Sequence, residues 1–464
     1  MTTLKENLNG TSLLIQPHLR KNSGAASATM RKYQQLALAL VSVISLMAFL
    51  FYKHEYDRLR YTLEYLEMFG SSPSDVGANP ICGSSKYRRV YTTPSMWTIL
   101  SSDIVVYSSF WDEGNGLANP FIRTITLVKK SDKPPDELQC KILFEMNLKD
   151  VNAVCSLEHV KLRNHAQFST EDSNIQIANL ICKPEDKERN VPYLTQFKIG
   201  NQDWAPPVLI QESESWKSVA NITCACVFSS TVPVSSLRLV EFISHHSILG
   251  VEKFVFFGTI LTPLVRKLLD KYGEESNIFY EEKSFTLPSG FSLNDEERRT
   301  IIERDCLYRH RDTHENILVL KMSEFLVPRS YNSLQEVLLS AGSGDSASVA
   351  EFHFVSQRVC LDQTHTKQTD LLLDSQIRSF SENKNVGAAV LRPHLFNSGL
   401  TSNFRRVAAV PYAQHIPSAV ANIYVFEPCT GGETHSEKDH LPTYARFASL
   451  IQKSLLYRKW SLNS

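Results

Sequence analysis

The 464-residue sequence has no excess of charge of either sign: Lys and Arg total 49, and Asp and Glu total 49. Without a global positive surplus to neutralise a phosphate backbone, nucleic-acid binding has no support. It also lacks a second cysteine cluster. Of nine cysteines (Cys82, Cys140, Cys155, Cys182, Cys224, Cys226, Cys306, Cys360 and Cys429) only Cys224 and Cys226 stand close together. With no partner pair at metal-site spacing a zinc site is not expected, so the cysteines are read as disulfides, the odd count leaving at least one over. Nothing between Trp97 and Cys226 resembles a nucleophile site. At 42% hydrophobic and 21% charged, the composition is globular.

Long apolar runs are absent with one exception. Leu36 to Tyr52 carries no charge and, with Tyr33, Gln34 and Gln35, approaches the ~20 residues a spanning helix needs. A polar lead precedes it and no small-residue cleavage site follows, so it reads as a retained anchor rather than a signal peptide. Arg20, Lys21, Arg31 and Lys32 precede the run without nearby acids, whereas Lys53, Arg58 and Arg60 are mixed with Glu55 and Asp57. The positive-inside bias predicts a single-pass type II protein with its C-terminal part lumenal, and the short span suits the Golgi. The expected organisation is a cytosolic tail (1–35), a transmembrane helix (36–52), and a stem and linker (53–90) whose Leu59, Leu63 and Leu66 offer a homodimer contact. A β-rich lumenal unit (91–232) and an α/β domain (233–464) follow. Asn221-Ile222-Thr223 is the lumenal glycosylation sequon.

The β-rich unit is predicted from strands such as Ile104–Tyr107, Ile122–Val128 and Cys140–Phe144, separated by charged turns. After Pro233 the rhythm changes. Ser235 or Ser236 caps a helix ending at Gly250, a strand runs over Lys253–Gly258, and a helix follows through Leu264 to Leu269. Asn294 with Glu297 opens another helix, and Ser333 with Glu336 opens one more, each as a capping box. A C-terminal helix packs through Tyr444, Phe447, Ile451 and Leu455. Helix and strand alternating at this spacing predict an α/β sheet with parallel pairs.

The stretch Asn316–Pro328 organises the rest. A branched apolar run, a polar tetrad and a closing proline predict a buried strand that delivers Lys321, Ser323 and Glu324 to its C-terminal end. Open α/β sheets bind ligands at that end, although an ordinary strand running into a loop has the same pattern. His310 and His314, four apart, have the spacing of helical zinc ligands, but two histidines alone make no site.

Four stretches taken in order carry a family resemblance: Ile104–Asp112; Leu239–Ile243 with Leu249–Glu252; Arg304–Arg309; and Ser323–Pro328. Over roughly residues 100 to 460 the chain resembles glycosyltransferase family 92, which includes animal Golgi galactosyltransferases. That resemblance implies a GT-A-like nucleotide-sugar domain, a UDP-sugar donor, a glycan acceptor, and a divalent metal such as Mn held by an Asp-x-Asp motif. Here Lys321, Met322 and Ser323 stand at the Asp-x-Asp positions, and Asn422-Ile423-Tyr424 falls where many members have a histidine before tyrosine. Neither lysine nor methionine replaces a hard-metal carboxylate, so no metal is expected unless other residues ligate it.

Two readings compete. In one, the protein transfers a galactose-like hexose without metal: Lys321, Ser323 and Asp305 bind the donor, and Glu324 acts in catalysis by orienting hydroxyls. In the other it is an inactive lumenal glycan-binding or partner protein. The plainer alternatives are a surface lysine for Lys321, a salt bridge of Glu324 with Arg304 or Arg329, and a solvated or capping acid for Asp305.

Overall fold

The computed structural model describes Ser45, Met47 and residues 97–112, 120–130, 137–144, 150–160, 174–184, 192–211, 223–229, 234–311, 313–341, 349–361, 371, 377–381, 386–395, 413–428 and 442–463. The chain divides into Met1–Val90 and Tyr91–Ser464. The expected tail, stem, linker and Asn221 sequon lie outside the described residues. So does the expected span over 36–52, apart from Ser45 and Met47; among the described residues no helix is long and apolar enough to cross a membrane.

The second unit holds two sheets. The first comprises β1 (Thr98–Ile99), β2 (Ile104–Asp112), β3 (Phe121–Lys129), β4 (Leu138–Leu143), β5 (Asp150–His159), β6 (Ile175–Pro184), β7 (Leu194–Ile199) and β8 (Val208–Gln211), in the order β1-β2-β3-β6-β5-β4-β7-β8. β8 pairs back onto β2, Ser109 opposite Ile210 and Phe110 opposite Gln211, which closes the sheet into a barrel. Alternation along the strands fills it. Ile122 and Val128 of β3, Ala178 and Leu180 of β6 and Phe197 of β7 point inward, while Ile125 and Leu127 of β3 point out into a second core. Both faces of β2 and β3 are therefore buried.

The second sheet comprises β9 (Thr223–Phe228), β10 (Val251–Phe257), β11 (Phe279–Lys283), β12 (Asn316–Lys321), β13 (Glu324–Pro328), β14 (Glu351–Leu361), β15 (Ile377–Ser381), β16 (Val386–Leu391), β17 (Ala413–Ile416) and β18 (Ala421–Pro428). Its order is β11-β10-β9-β12-β16-β14-β18-β13, with β15 and β17 on β14; the first four strands are parallel. β9 falls within the expected β-rich stretch, yet its partners are β10 and β12, so the boundary between sheets lies between Gln211 and Thr223 rather than near 232.

The helices are α1 (Ser236–Ile248), α2 (Pro263–Tyr272), α3 (Asp295–Arg309), α4 (Leu334–Ala341), α5 (Pro442–Lys453) and α6 (Leu455–Ser461). Strand alternation assigns each sheet face its cover. Ala225, Val227, Phe254, Phe256, Leu318 and Leu320 pack with α1, α2, α4, α5 and α6. Cys226, Phe228, Val255, Phe257, Ile317 and Val319 pack with Ile301 and Ile302 of α3 and with the barrel. Full burial of each valine, leucine, isoleucine or phenylalanine among them stabilises by roughly 1.5–3 kcal/mol. The C-terminal segment departs from one continuous helix: Ser454 caps a second one, so Leu456 rather than Leu455 is buried.

Among the described residues two disulfides, Cys155–Cys182 and Cys226–Cys306, bear out the disulfide reading for four cysteines. The second ties β9 to α3.

Candidate donor site at the end of β12

The strand order reverses beside β9. The chain steps outward through β10 and β11, then returns as β12 on the other side of β9. In α/β sheets, ligands bind beyond the carboxyl ends of the strands at such a reversal. Lys321 and Phe228 face each other in register at this point.

Local chemistry fixes the turn that follows. β12 passes into β13 through only Met322 and Ser323. The Met322 N–H donates to the Phe228 carbonyl at 2.9 Å, and the Phe426 N–H donates to the Ser323 carbonyl at 2.9 Å. Glu324 folds back so that its Oε2 accepts the Lys321 N–H at 2.9 Å, and its Oε1 pairs with Arg299 Nη2. Arg299 also donates from Nη1 to the Val319 carbonyl at 2.9 Å and lies over the Phe228 ring. Burial alone would lower the Arg299 pKa; Glu324, with Glu296 and Glu303 behind it, outweighs that and holds it above the ordinary value.

The helix supplying Arg299 forms as its sequence dictates. Asn294 accepts the Glu297 N–H and Glu297 accepts the Asn294 N–H, both at 2.9 Å. Asp295, Glu296 and Glu297 complement the positive end of the helix dipole. The cap also aims Asp295 at the turn, where Lys321 Nζ donates to its Oδ2 at 2.8 Å. The two pairs differ in character. Arg299 and Glu324 side chains are 11% and 7% exposed, whereas Lys321 and Asp295 are 19% and 42% exposed. An arriving anion therefore meets an ammonium whose present partner faces solvent.

Lys321, Ser323 and Glu324 come together as the sequence suggested, with Ser323 half-buried between the other two. Glu324 is paired to Arg299, not to Arg304 or Arg329. Asp305 is not brought to them. It is fully buried, its two oxygens taken by Arg309 Nε and Nη2 at 3.0 and 2.8 Å and by Ser108 Oγ at 2.7 Å, and it lies ten residues, or about 15 Å, along α3 from Asp295. A bulge in β2 between Val106 and Ser109 accompanies the outward aim of Ser108. His310 and His314 sit beyond the far end of α3, both buried. Among the described residues they belong to no group of three or more potential metal ligands.

Asp295 and Arg299 are the residues that sequence reasoning missed. Their signal was an acid and an arginine four apart at the start of a capped helix, which share a face.

Residues 224–403 match the family model for glycosyltransferase family 92. The likeness covers that segment, which is less than half of the chain. The match runs from β9 past β16 and takes in Asp295, Arg299, Lys321, Ser323 and Glu324, so the whole candidate site lies inside the matched segment. No curated protein matches the chain. Among solved structures, HddC from Yersinia pseudotuberculosis is similar over 50% of this chain and 99% of its own, at 11% identity and a TM-score of 0.23. A putative glucose-1-phosphate thymidylyltransferase from Bacillus anthracis, in complex with a sucrose, is similar over 50% of this chain and 95% of its own, at 8% identity and a TM-score of 0.23.

Proposed function

We propose that the protein transfers a galactose-like hexose from a UDP-sugar to a glycan hydroxyl, with Lys321 in place of a metal ion at the donor diphosphate. The observation that carries this reading is the position of Lys321 at the switch point, held among the described residues by one half-exposed carboxylate. Sugar transfer expels a nucleoside diphosphate whose growing negative charge must be met by a fixed positive group. An ammonium already at the strand end meets it without reorganisation of the fold. The donor set suits no divalent cation: Glu324 is committed to Arg299 and to the Lys321 N–H, and Asp295 to the Lys321 ammonium. Glu324 then acts by holding the turn that presents Lys321 and Ser323, and Asp305 by fixing α3 to the barrel. Golgi residence and a type II anchor over 36–52 belong to this reading, supported by the uncharged run and the flanking basic residues.

A second reading, an inactive glycan-binding or partner protein, draws on the same commitment of Glu324, since a fully paired carboxylate offers no base to an acceptor hydroxyl. Turnover of a UDP-sugar panel with glycan acceptors, with and without chelator, tests between them. Transfer that survives chelation is expected. Transfer abolished by chelator overturns the metal-free site, and glycan retention with no transfer to any acceptor favours the second reading.

A further inference from the structure

The interior of the barrel holds three cysteines that the proposed transfer does not use. Cys140 on β4, Cys155 on β5 and Cys182 on β6 occupy three adjacent strands, and their sulfurs all lie within 4.8 Å of one another. Cys155 and Cys182 face each other in the β5–β6 register and are joined. Cys140 faces Ala153, which sets it diagonal to Cys155 on the same inward face, and it carries a free thiol. That thiol lies 3.0 Å from Thr195 Oγ1, itself 3.3 Å from the Lys141 carbonyl. Cys140 and Cys182 are buried, and Cys155 is half-buried.

We infer that Cys140 is a third partner in this disulfide, so that the barrel has two covalent wirings, Cys155–Cys182 and Cys140–Cys155, with Cys155 common to both. The topology dictates which cysteine is shared. β5 lies between the other two strands, so Cys155 adjoins both. Cys140 and Cys182 are two strand spacings apart, about 9–10 Å, beyond the ~7 Å that a disulfide spans between Cα atoms, whereas the Cys140–Cys155 diagonal, about 7–8 Å in a regular ladder, closes with a small drawing together of β4 and β5.

The step balances without an outside oxidant or reductant. Cys140 gives up its proton, its thiolate attacks Cys155 Sγ, the Cys155–Cys182 bond breaks, and Cys182 Sγ leaves with the electron pair and takes up a proton. The Thr195 hydroxyl turns from the Lys141 carbonyl to donate to the attacking thiolate. Burial pushes the Cys140 thiol up to about 12, so thiolate is scarce at neutral pH and the two wirings interchange slowly. One wiring staples β5 to β6. The other staples the β4–β5 hairpin and releases β6.

Disulfide mapping by mass spectrometry tests this on the full chain, incubated near pH ~8.5 in a mixture of reduced and oxidised glutathione, which favours exchange in the wild type and supplies the oxidant that a variant needs to close a bond from two thiols, then quenched in acid and alkylated without reduction. The wild type is expected to yield both linked peptides, with Cys140 and Cys182 alkylated in reciprocal proportion. Cys182→Ser is expected to hold Cys140–Cys155, and Cys155→Ser to show Cys140 and Cys182 both alkylated. The Cys226–Cys306 peptide in each digest reports that the fold is retained. The inference is overturned if wild-type Cys140 is always alkylated and Cys182 never, if Cys182→Ser leaves Cys140 and Cys155 unlinked in a folded chain, or if Cys155→Ser links Cys140 to Cys182. Should Cys182→Ser lose the Cys226–Cys306 bond as well, the wild-type digest decides alone.

Discussion

Replacing Lys321 by alanine separates a lysine that merely decorates a strand end from one that meets a diphosphate. Among the described residues its ammonium has one partner, Asp295 Oδ2 at 2.8 Å, with the side chains 19% and 42% exposed. At that exposure solvent screens most of the Coulomb attraction, and such pairs contribute roughly 0.2–1 kcal/mol to stability. Loss of a preorganised positive donor to the developing charge costs about 2.7–4 kcal/mol, or roughly 10²–10³ in kcat. Lys321→Ala is therefore expected to unfold within about 1 kcal/mol of wild type in urea while initial rates with chelator present fall by two to three orders of magnitude. Lys321→Arg, which keeps the charge, retains most of the rate. Asp295→Asn, which frees the ammonium, tightens UDP binding in calorimetric titration. Lys321→Ala with a rate within a few-fold of wild type refutes the reasoning, as does weaker UDP binding by Asp295→Asn.

The other predictions concern residues that hold the site. Arg299→Ala strands the buried Glu324 carboxylate and the Val319 carbonyl, and is expected to cost about 3–5 kcal/mol in denaturant unfolding; a loss under 1 kcal/mol contradicts the pairing. Asp305→Asn leaves buried Arg309 without its carboxylate and is expected to lower the unfolding midpoint while the donor KM stays unchanged; a tenfold rise in KM would place Asp305 at the donor after all. Burial pushes His245 and His314 each down to about 4 in the folded chain, against about 6.5 when unfolded. Their contribution is thus complete above the unfolded value and is lost as pH falls from about 6.5 to about 4, amounting to about 4 kcal/mol for the two by pH ~5. Equal urea midpoints at neutral pH and at pH ~5 would contradict it.

Helix α3 shows where legibility ended. Its start was readable because the Asn294–Glu297 box is a local device, and the run ending at Lys321 was readable because apolar residues stop abruptly before a polar tetrad. What α3 touches was not readable, since Arg299 meets Glu324 across 25 residues and Asp305 meets Ser108 across 197. Buried ion pairs also put charged residues on every face of the helix, so the apolar pattern that marks an inward face is blurred and Asp305 reads as solvated. Barrel closure by β8 on β2 and the placing of β9 in the second sheet rest on pairings between distant segments. Ser454 interrupts a stripe that runs on across the break, and only its capping bond to the Tyr457 N–H gives it away.

The grip on α3 bears on how the protein can be cut. Ser108 holds Asp305, Phe110 packs on Tyr308, Asp112 faces Arg311, and Cys226 is bonded to Cys306, while the opposite end of the same helix presents Asp295 and Arg299 to the turn. A fragment trimmed to the family-matched residues keeps every group of the candidate site and discards the wall behind it. Val255, Phe257, Ile301, Ile302 and Val319, all in one core with Tyr107, Ile125 and Leu127 of the barrel, would then form an open apolar slab. Such a fragment is an aggregation hazard, and the smallest stretch fit for expression begins with the barrel.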